Sequence, residues 1–263
     1  MDRLKVLTLN IWNRQGPWEQ RSRLIKKGLV ELQPDLVGLQ EVLQHEAEPM
    51  HQARELSDHY HVAYRAAWHI GGGLNFGNAV LSRWPIGAAD NFPLPNDPDE
   101  ESRALLYVRA DSPHGPIPVF CTHLSWKFHQ GSLRERQVAF IAERVHDLAP
   151  TDGLPPILLG DFNAEPDADE IRFLRGLHTL RGRSAYFADC FGLCGEGPGH
   201  TYARSNVYAE KLHEPNRRID YIFVRGPDRK LRGEPLSSQV VFDVPEDGVF
   251  PTDHYGVVAE ISI

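Results

Sequence analysis

The segment Ile157–Asp167, ILLGDFNAEPD, places two polar side chains directly after a run of apolar residues. Asp161 and Asn163 are two residues apart, a spacing that on an extended chain points both side chains to the same side. A carboxylate and a carboxamide that face one point can bind a metal ion or hold a phosphate group. The alternative is that both residues only terminate a core strand. The remainder of the chain bears on this choice.

Other apolar runs also begin or end with a group that can bind a metal or a phosphate. Buried Asp, Glu and His side chains are costly unless they are paired, hydrogen-bonded or bound to a metal. Taken singly, each has an ordinary explanation: a turn residue, a helix-start charge, a core histidine or an ion pair with Arg217 or Arg218. Because they occur together, we predict one polar site at the strand ends. Beyond Asp161 and Asn163, its members are Asn10, Glu41, His123, Asp220, Asp253 and His254.

Short strands and amphipathic helices must position these residues. Apolar, β-branched runs predict strands, and apolar residues at helical spacing predict helices. The predicted strands are 4–9, 36–39, 61–67, 78–82, 104–110, 117–124, 157–160, 218–224, 239–242 and 256–263. The predicted helices are 21–32, 133–148 and a short one through Ile171 and Leu174. Pro85 and the segment PLPNDPDE predict loops, and residues 181–214 are rich in loop-forming residues.

The order of these elements indicates the fold class. Strands and helices alternate early in the chain, and consecutive strands follow, which argues against a Rossmann sheet or a (β/α)8 barrel. The pattern favours an α/β fold in which two packed β-sheets carry helices on the outside. The 263 residues show no linker-like composition, so we predict a single domain over residues 1–263.

Composition and charge restrict the class of protein. A formal net charge of -8 does not suit a surface that binds nucleic acid throughout by neutralising phosphates, so no strong nucleic-acid patch is predicted. Three cysteines fit a reducing compartment, and Cys190 and Cys194 have no second Cys/His pair to complete a metal site. No signal peptide is recognisable, and no apolar run approaches the ~20 residues of a membrane span. We therefore expect a cytoplasmic monomer.

The ordered segments TLNIW, LQEV, THL, GDFNAEP, RIDYIFV and PTDHY closely resemble the motifs of the endonuclease/exonuclease/phosphatase superfamily. The resemblance extends from Leu7 to Ile263. It implies a four-layer α/β/β/α sandwich, in which two mixed β-sheets are flanked by helices. It also implies a divalent metal at one end of the sandwich and hydrolysis of a phosphate ester.

The resemblance implies a metal site around Glu41, with Asn10 and Asp253 nearby and Asp161 as a ligand of a second metal. Hard oxygen ligands of this kind suit Mg²⁺, with Mn²⁺ as an alternative. Such a metal neutralises charge on the phosphate and activates the attacking water.

The remaining catalytic roles also come from the resemblance. Asp161 orients or deprotonates the attacking water, and Asn163 holds a phosphate oxygen. Asp220 and His254 form a carboxylate–histidine dyad, and His123 acts on the phosphate or the leaving group. Histidines that donate to phosphate oxygens stabilise the transition state. Whether Asp161 or His254 is the general base stays open at this point.

The substrate is less well defined. Aromatic and basic residues beside the predicted site suit stacked bases, a phospholipid head group or a sugar phosphate; the candidates are Trp126, His129, Tyr202, Asn206 and Arg218. The leading expectation is a Mg²⁺-dependent phosphodiesterase acting on a nucleotide, a short nucleic acid or a small phosphorylated metabolite. The alternatives are a sphingomyelinase-like phospholipid phosphodiesterase and, in another class, an inactive phosphate-binding module.

Overall fold

The computed structural model describes residues 2–47 and 51–263, and over these residues the chain forms two six-stranded sheets with helices outside them. The strands are β1 Arg3–Asn10, β2 Leu36–His45, β3 His61–Gly71, β4 Leu74–Ser82, β5 Ile86–Pro93, β6 Ala104–Ser112, β7 Gly115–His123, β8 Ile157–Asp161, β9 Ala188–Asp189, β10 Asp220–Val224, β11 Pro235–Val241 and β12 Gly256–Ser262. The α-helices are α1 Trp18–Leu32, α2 Gln52–Glu55, α3 Gly131–Leu148, α4 Asp169–Leu174 and α5 Cys190–Cys194. Two 3-10 helices cover Phe128–Gln130 and Glu210–Leu212.

Both sheets are mixed. Sheet I has the order β11-β12-β1-β2-β4-β3, and sheet II has the order β5-β6-β7-β8-β10-β9. The pairs β1–β2 and β7–β8 are parallel, and the other strand pairs are antiparallel. One apolar cluster contains residues from both sheets, among them Val6, Leu36, Val119, Leu159 and Ile222, so the sheets pack face to face. The predicted four-layer sandwich is confirmed.

Helices cover the outer face of each sheet. Ile25 and Leu29 of α1 belong to an apolar cluster with the outward side chains of sheet I. Val138, Ile141 and Val145 of α3 form the predicted stripe and pack on the outward side chains of sheet II. Burial of each such side chain contributes about 1.5–3 kcal/mol, which accounts for the attachment of the helices.

Several elements differ from the sequence predictions. β5 occupies Ile86–Pro93, mostly between the loops predicted at Pro85 and PLPNDPDE, where no element was predicted. Among the described residues it pairs with β6 alone and forms an edge of its sheet, so its polar residues and its terminal Pro93 are tolerated. β3 and β4 are longer than predicted and form a hairpin whose tip is Gly71–Gly73. The loop-rich segment 181–214 contains β9 and α5.

All three cysteines are free, and Cys190 and Cys194 lie on α5 outside any metal-ligand cluster of the described residues. Within residues 2–47 and 51–263, no helix is long and apolar enough to span a membrane.

Candidate active site

Strand alternation brings four of the predicted polar residues to one edge of the space between the sheets. In β8, Ile157 and Leu159 point into the inter-sheet core, whereas Leu158 points to the helices. Asp161 is two residues beyond Leu159 and therefore faces the inter-sheet side at the end of the strand. The same alternation on β1, β7 and β10 places Asn10, His123 and Asp220 on that side.

Glu41 reaches the site by a β-bulge rather than by alternation. The pairing of β2 with β4 shifts register between Leu39 and Val42, and Glu41 itself has a φ of 59°. Without this bulge Glu41 would follow Leu39 to the outer face, so the bulge turns the carboxylate toward the cleft. There its Oε1 accepts from Asn10 Nδ2 at 3.1 Å, and its Oε2 accepts from Asn13 Nδ2 at 2.9 Å.

The Asp161 carboxylate is the centre of the site. Its Oδ2 accepts from Asn10 Nδ2 at 3.0 Å and lies 3.4 Å from His123 Nε2 and 3.8 Å from His254 Nε2. Its Oδ1 accepts from the backbone N–H of Asn163 at 2.9 Å. The side chain is 1% exposed, so any group that reacts with it must enter the cleft.

Asn163 shares the cleft with Asp161, but not because of strand alternation. β8 ends at Asp161, and Asn163 has a left-handed φ of 50°, which its hydrogen bond to the Asp161 carboxylate stabilises. Its Nδ2 donates to Leu124 O at 3.1 Å. Gly160 has a φ of 144°, and a Cβ at this position would lie 1.9 Å from Thr122 O, so close contact between β7 and β8 requires glycine here.

Asp220 and His254 form the predicted dyad. His254 Nδ1 lies 2.9 Å from Asp220 Oδ2, and both residues are buried. The alternative interpretation, in which Asp220 forms an ion pair with Arg217 or Arg218, is wrong. Arg218 donates two hydrogen bonds, of 2.9 and 2.8 Å, to the carboxylate of Asp189, and Arg217 pairs with Glu214.

Burial and neighbouring charges set the protonation of these groups. Burial raises the pKa of Asp161 to about 7, and the Asp220 carboxylate adds to this effect. Burial alone would lower the pKa of His254, but the carboxylates of Asp220 and Asp161 raise it well above its ordinary value. At neutral pH His254 is therefore an imidazolium whose Nε2–H faces the cleft. Burial and the nearby Glu41 carboxylate also raise the pKa of Asp253 to about 7.

Sequence reasoning missed Arg103, a buried arginine directly before β6. Its Nη1 lies 3.3 Å from His123 Nδ1. A guanidinium can only donate, so His123 Nδ1 must accept and the ring proton must sit on Nε2, toward Asp161. Burial lowers the pKa of His123 well below its ordinary value, and Arg103 lowers it further. Arg103 reaches the site because β6 is antiparallel to β7 and starts at the edge where β7 ends. Only a prediction of this strand pairing could have found it.

Replacing Arg103 by methionine should release this constraint on His123. We expect the pKa of His123 to rise, because a neighbouring positive charge is removed, and kcat to fall about 10-fold or more as the ring loses its fixed tautomer. ¹⁵N NMR of the histidine side chains against pH measures the first effect. The matched control is Arg109→Met, which replaces an exposed arginine of β6, the strand that follows Arg103. Unchanged His123 shifts in the Arg103 variant would contradict the assignment.

The cleft that contains these groups has a volume of about 470 Å³. Of the predicted site residues, Glu41, His123, Asp161, Asn163, Asp253, His254, Trp126 and Tyr202 line it. Asn10 and Asp220 lie behind this surface, where Asn10 donates to the Asp161 carboxylate and Asp220 accepts from the His254 imidazole. The lining residues that sequence reasoning did not assign to the site include Arg103, Glu101, Glu214, Trp68 and Phe76.

Three predicted substrate-binding residues are not brought to the cleft. His129 is exposed on the 3-10 helix Phe128–Gln130. Asn206 is buried and donates to Thr252 O at 2.7 Å, so it supports the loop that carries Asp253. Arg218 is held by Asp189, as described above. Trp126 and Tyr202 do line the cleft, and the Tyr202 ring lies edge-on to His254 with ring centres 5.1 Å apart.

Two groups of side chains at the cleft can hold a metal ion. Asp161, Asp220 and His254 offer ligand atoms that all lie within 4.8 Å of one another. In this group, however, Asp220 and His254 already bind each other. Glu41, Asn10 and Asp253 offer only oxygen ligands. Burial and, to a smaller extent, repulsion by the Glu41 carboxylate raise the pKa of Asp253 to about 7. A divalent cation would remove this repulsion, so the oxygen set fits a hard ion such as Mg²⁺.

Solved structures share this fold. TDP2 from D. rerio, complexed with single strand DNA product, has a TM-score of 0.79 and 20% identity, with 100% of both chains covered. Truncated TDP2 from Caenorhabditis elegans has a TM-score of 0.78 and 17% identity, over 99% of this chain and 98% of that one. An endonuclease/exonuclease/phosphatase from Beutenbergia cavernae DSM 12333 has a TM-score of 0.76 and 24% identity, over 100% of this chain and 72% of that one.

Sequence comparison gives the family. The chain is 34% identical over 173 residues to "Uncharacterized protein YbhP" of Escherichia coli (strain K12), an alignment that covers 60% of this chain. It covers 66% of YbhP, just under two thirds of that protein. The model of the Endonuclease/Exonuclease/phosphatase family matches residues 7–254, which include every predicted site residue. As the sequence motifs predict, the chain therefore belongs to the endonuclease/exonuclease/phosphatase family, whose members are metal-dependent phosphoester hydrolases.

Proposed function

We propose that the protein is a Mg²⁺-dependent phosphodiesterase whose substrate is hydrolysed by in-line attack of water in this cleft. The observation that carries the proposal is the meeting of three groups with different proton-transfer properties at one buried point. These are the His254 imidazolium held by Asp220, a neutral His123 with its proton on Nε2, and the Asp161 carboxylate between them.

The protonation states assign the roles. Because the pKa of His254 lies well above its ordinary value, this residue is charged at neutral pH and donates to a phosphate oxygen or the leaving group. Asp161, with a pKa of about 7, accepts the proton of the attacking water. In the proposed reaction, His123 Nε2–H and the Asn163 Nδ2 proton that Leu124 O does not accept donate to phosphate oxygens. Bound Mg²⁺ would supply positive charge that neutralises the phosphate.

Hydrolysis of an aryl phosphodiester in the presence of Mg²⁺ tests this function. We expect Asp161→Asn to lower kcat/KM by at least about 10³-fold, because the proton acceptor is lost. Asp167→Asn is the matched control, since it makes the same chemical change at an exposed position six residues later. Loss of activity in both variants, or full activity in the Asp161 variant with an unchanged Tm, would overturn the proposed role.

Metal binding has its own prediction. Calorimetric titration with Mg²⁺ or Mn²⁺ should show one site that Glu41→Gln weakens by about 10-fold or more, since a charged oxygen ligand is removed. Glu31→Gln, an exposed residue of α1, should bind as the unmodified protein does. If His254→Gln removed binding and Glu41→Gln did not, the ion would belong to the group of Asp161, Asp220 and His254 instead.

Assays of metal binding and of hydrolysis distinguish the two alternative functions from the proposed one. An inactive phosphate-binding module would bind metal and a phosphate ester without turnover. A sphingomyelinase-like enzyme would hydrolyse choline phospholipids in vesicles and leave soluble diesters intact. Because the solved D. rerio TDP2 holds a single strand DNA product, a short oligonucleotide belongs in the substrate panel.

A further inference from the structure

One side of the cleft is an apolar wall on the β3–β4 hairpin. Trp68 is directly opposite Phe76 in the strand register, and Ile70 and Leu74 lie toward the hairpin tip. All four side chains line the cleft. Trp68 and Ile70 are 37% and 44% exposed, unusually high fractions for large apolar side chains. Large apolar side chains clustered in a concave surface mark a binding site.

Apolar side chains also stand at other points of the cleft. Trp126 follows β7 and is 48% exposed, and Leu212, on the second 3-10 helix, is 61% exposed. The reacting groups Asp161, His123 and His254 are buried at the base. A phosphate at the base would therefore have tryptophan and aliphatic side chains on part of the surrounding surface, beside polar residues such as Glu101 and Glu214.

The charges at the cleft offer little attraction for a second phosphate. Only two of the described lining residues are arginines, and both already have carboxylate partners. Arg103 Nη2 lies 2.9 Å from Glu101 Oε2, and Arg217 pairs with Glu214. The Arg217 guanidinium also lies over Tyr202 at 5.4 Å from the ring centre. A polyphosphate or a long nucleic acid would need cations that are not engaged in this way.

We propose that the cleft selects a small, soluble phosphodiester with a single phosphate and one apolar ester group, which packs between the hairpin wall and Trp126. This inference rests on the phosphodiesterase function proposed above and names the substrate class of the same site. Apolar complementarity provides the specificity, and the carboxylate-rich lining rejects additional negative charge. In the reaction, the oxygen of water bonds to phosphorus and its proton passes to Asp161. The bond from phosphorus to the leaving oxygen breaks, the leaving group departs with the bonding electron pair, and the apolar group remains on the product phosphate.

Two synthetic diesters with the same leaving group test the proposal. Benzyl 4-nitrophenyl phosphate and methyl 4-nitrophenyl phosphate both release 4-nitrophenolate and differ only in the retained ester group. We expect the benzyl ester to have a kcat/KM about 10- to 100-fold higher, the effect of burying one ring. Trp68→Ala and Trp126→Ala should each reduce this ratio several-fold, because the benzyl ester loses a ring contact that the methyl ester cannot make. Tyr186→Ala, which removes an exposed ring outside the cleft, should leave the ratio unchanged.

The outcomes separate this inference from the proposed function. Equal kcat/KM for the two esters, or a ratio that both tryptophan variants retain, would overturn the apolar selection and leave the phosphodiesterase function intact. Failure to hydrolyse any diester would overturn the function itself. A higher kcat/KM on oligothymidylate or on phosphatidylcholine vesicles than on the benzyl ester would also overturn the proposed substrate class. Matching Tm values for all variants ensure that each comparison concerns folded protein.

Discussion

Replacing Asp220 by asparagine should lower kcat by about 10²- to 10⁴-fold while the fold is retained. Asp220 orients His254, since its Oδ2 accepts from His254 Nδ1 at 2.9 Å and keeps Nε2 directed at the cleft. An asparagine has no charge to stabilise the imidazolium, and its NH₂ group can face Nδ1 and reverse the tautomer. Because Asp220 does not line the cleft, substrate contacts remain and KM should change much less than kcat.

The pH profile of this variant distinguishes a catalytic effect from a structural one. The active form requires protonated His254, so kcat falls as pH rises through the pKa of that residue. Asp220 is the largest contributor that raises this pKa, and its loss must lower the pKa. The alkaline limb of kcat should therefore move to lower pH in Asp220→Asn, measured from about pH 5.5 to 9.5. Asp167→Asn should keep the original limb. An unmoved limb in the Asp220 variant would show that His254 is not the acid.

Replacing Arg21 by methionine should lower the free energy of unfolding by about 3–5 kcal/mol, the cost of breaking a buried charged network. Arg21 is fully buried in α1, and its guanidinium donates to five backbone carbonyls at 2.9–3.2 Å. The acceptors are Ile11, Trp12, Asn13, Gln15 and Pro251. The guanidinium also lies between the rings of Trp12 and Trp18, at 5.0 and 5.2 Å from their centres.

This arginine joins the two loops that carry proposed metal ligands. One acceptor, Ile11, follows Asn10, and another, Pro251, is two residues before Asp253. Arg21→Lys keeps the charge but has too few donors for five carbonyls, so we expect most of the stability loss to persist. Urea unfolding measures the effect, and Arg23→Met, an exposed residue of the same helix, should change stability by less than about 0.5 kcal/mol. In the lysine variant, Mg²⁺ affinity should also fall, and unchanged affinity would contradict the link between the loops.

The part of the candidate site that strand alternation determines could be predicted from the sequence. His123 and Asp161 each lie two residues beyond an inward-facing core residue. Asn10 lies four residues beyond Val6, and Asp220 lies two residues before Ile222. An apolar pattern of period two therefore suffices to place all four. Glu41 does not follow this rule. Its direction depends on a bulge in the pairing with β4, which no local pattern of β2 specifies.

Residues whose position depends on a distant partner could not be placed from the sequence. Arg103 faces the site because β6 is antiparallel to β7, a pairing that the sequence leaves open. Arg218 is two residues before Asp220, yet its guanidinium pairs with Asp189, from the loop-rich segment, and does not line the cleft. β5 was missed for a related reason, since its sequence lacks an alternating pattern and its strand conformation depends on pairing with β6.

The candidate site is assembled from both sheets of the sandwich, and the two members of the dyad come from different sheets. Asn10, Glu41 and His254 come from sheet I or the loop that enters it, whereas His123, Asp161 and Asp220 come from sheet II. Neither sheet therefore contains a complete catalytic set, and the hydrogen bonds Asn10–Asp161 and His254–Asp220 each cross the interface between the layers. Under the proposed function, catalytic competence is thus a property of the docked sheets, acquired only when the central hydrophobic layer has closed.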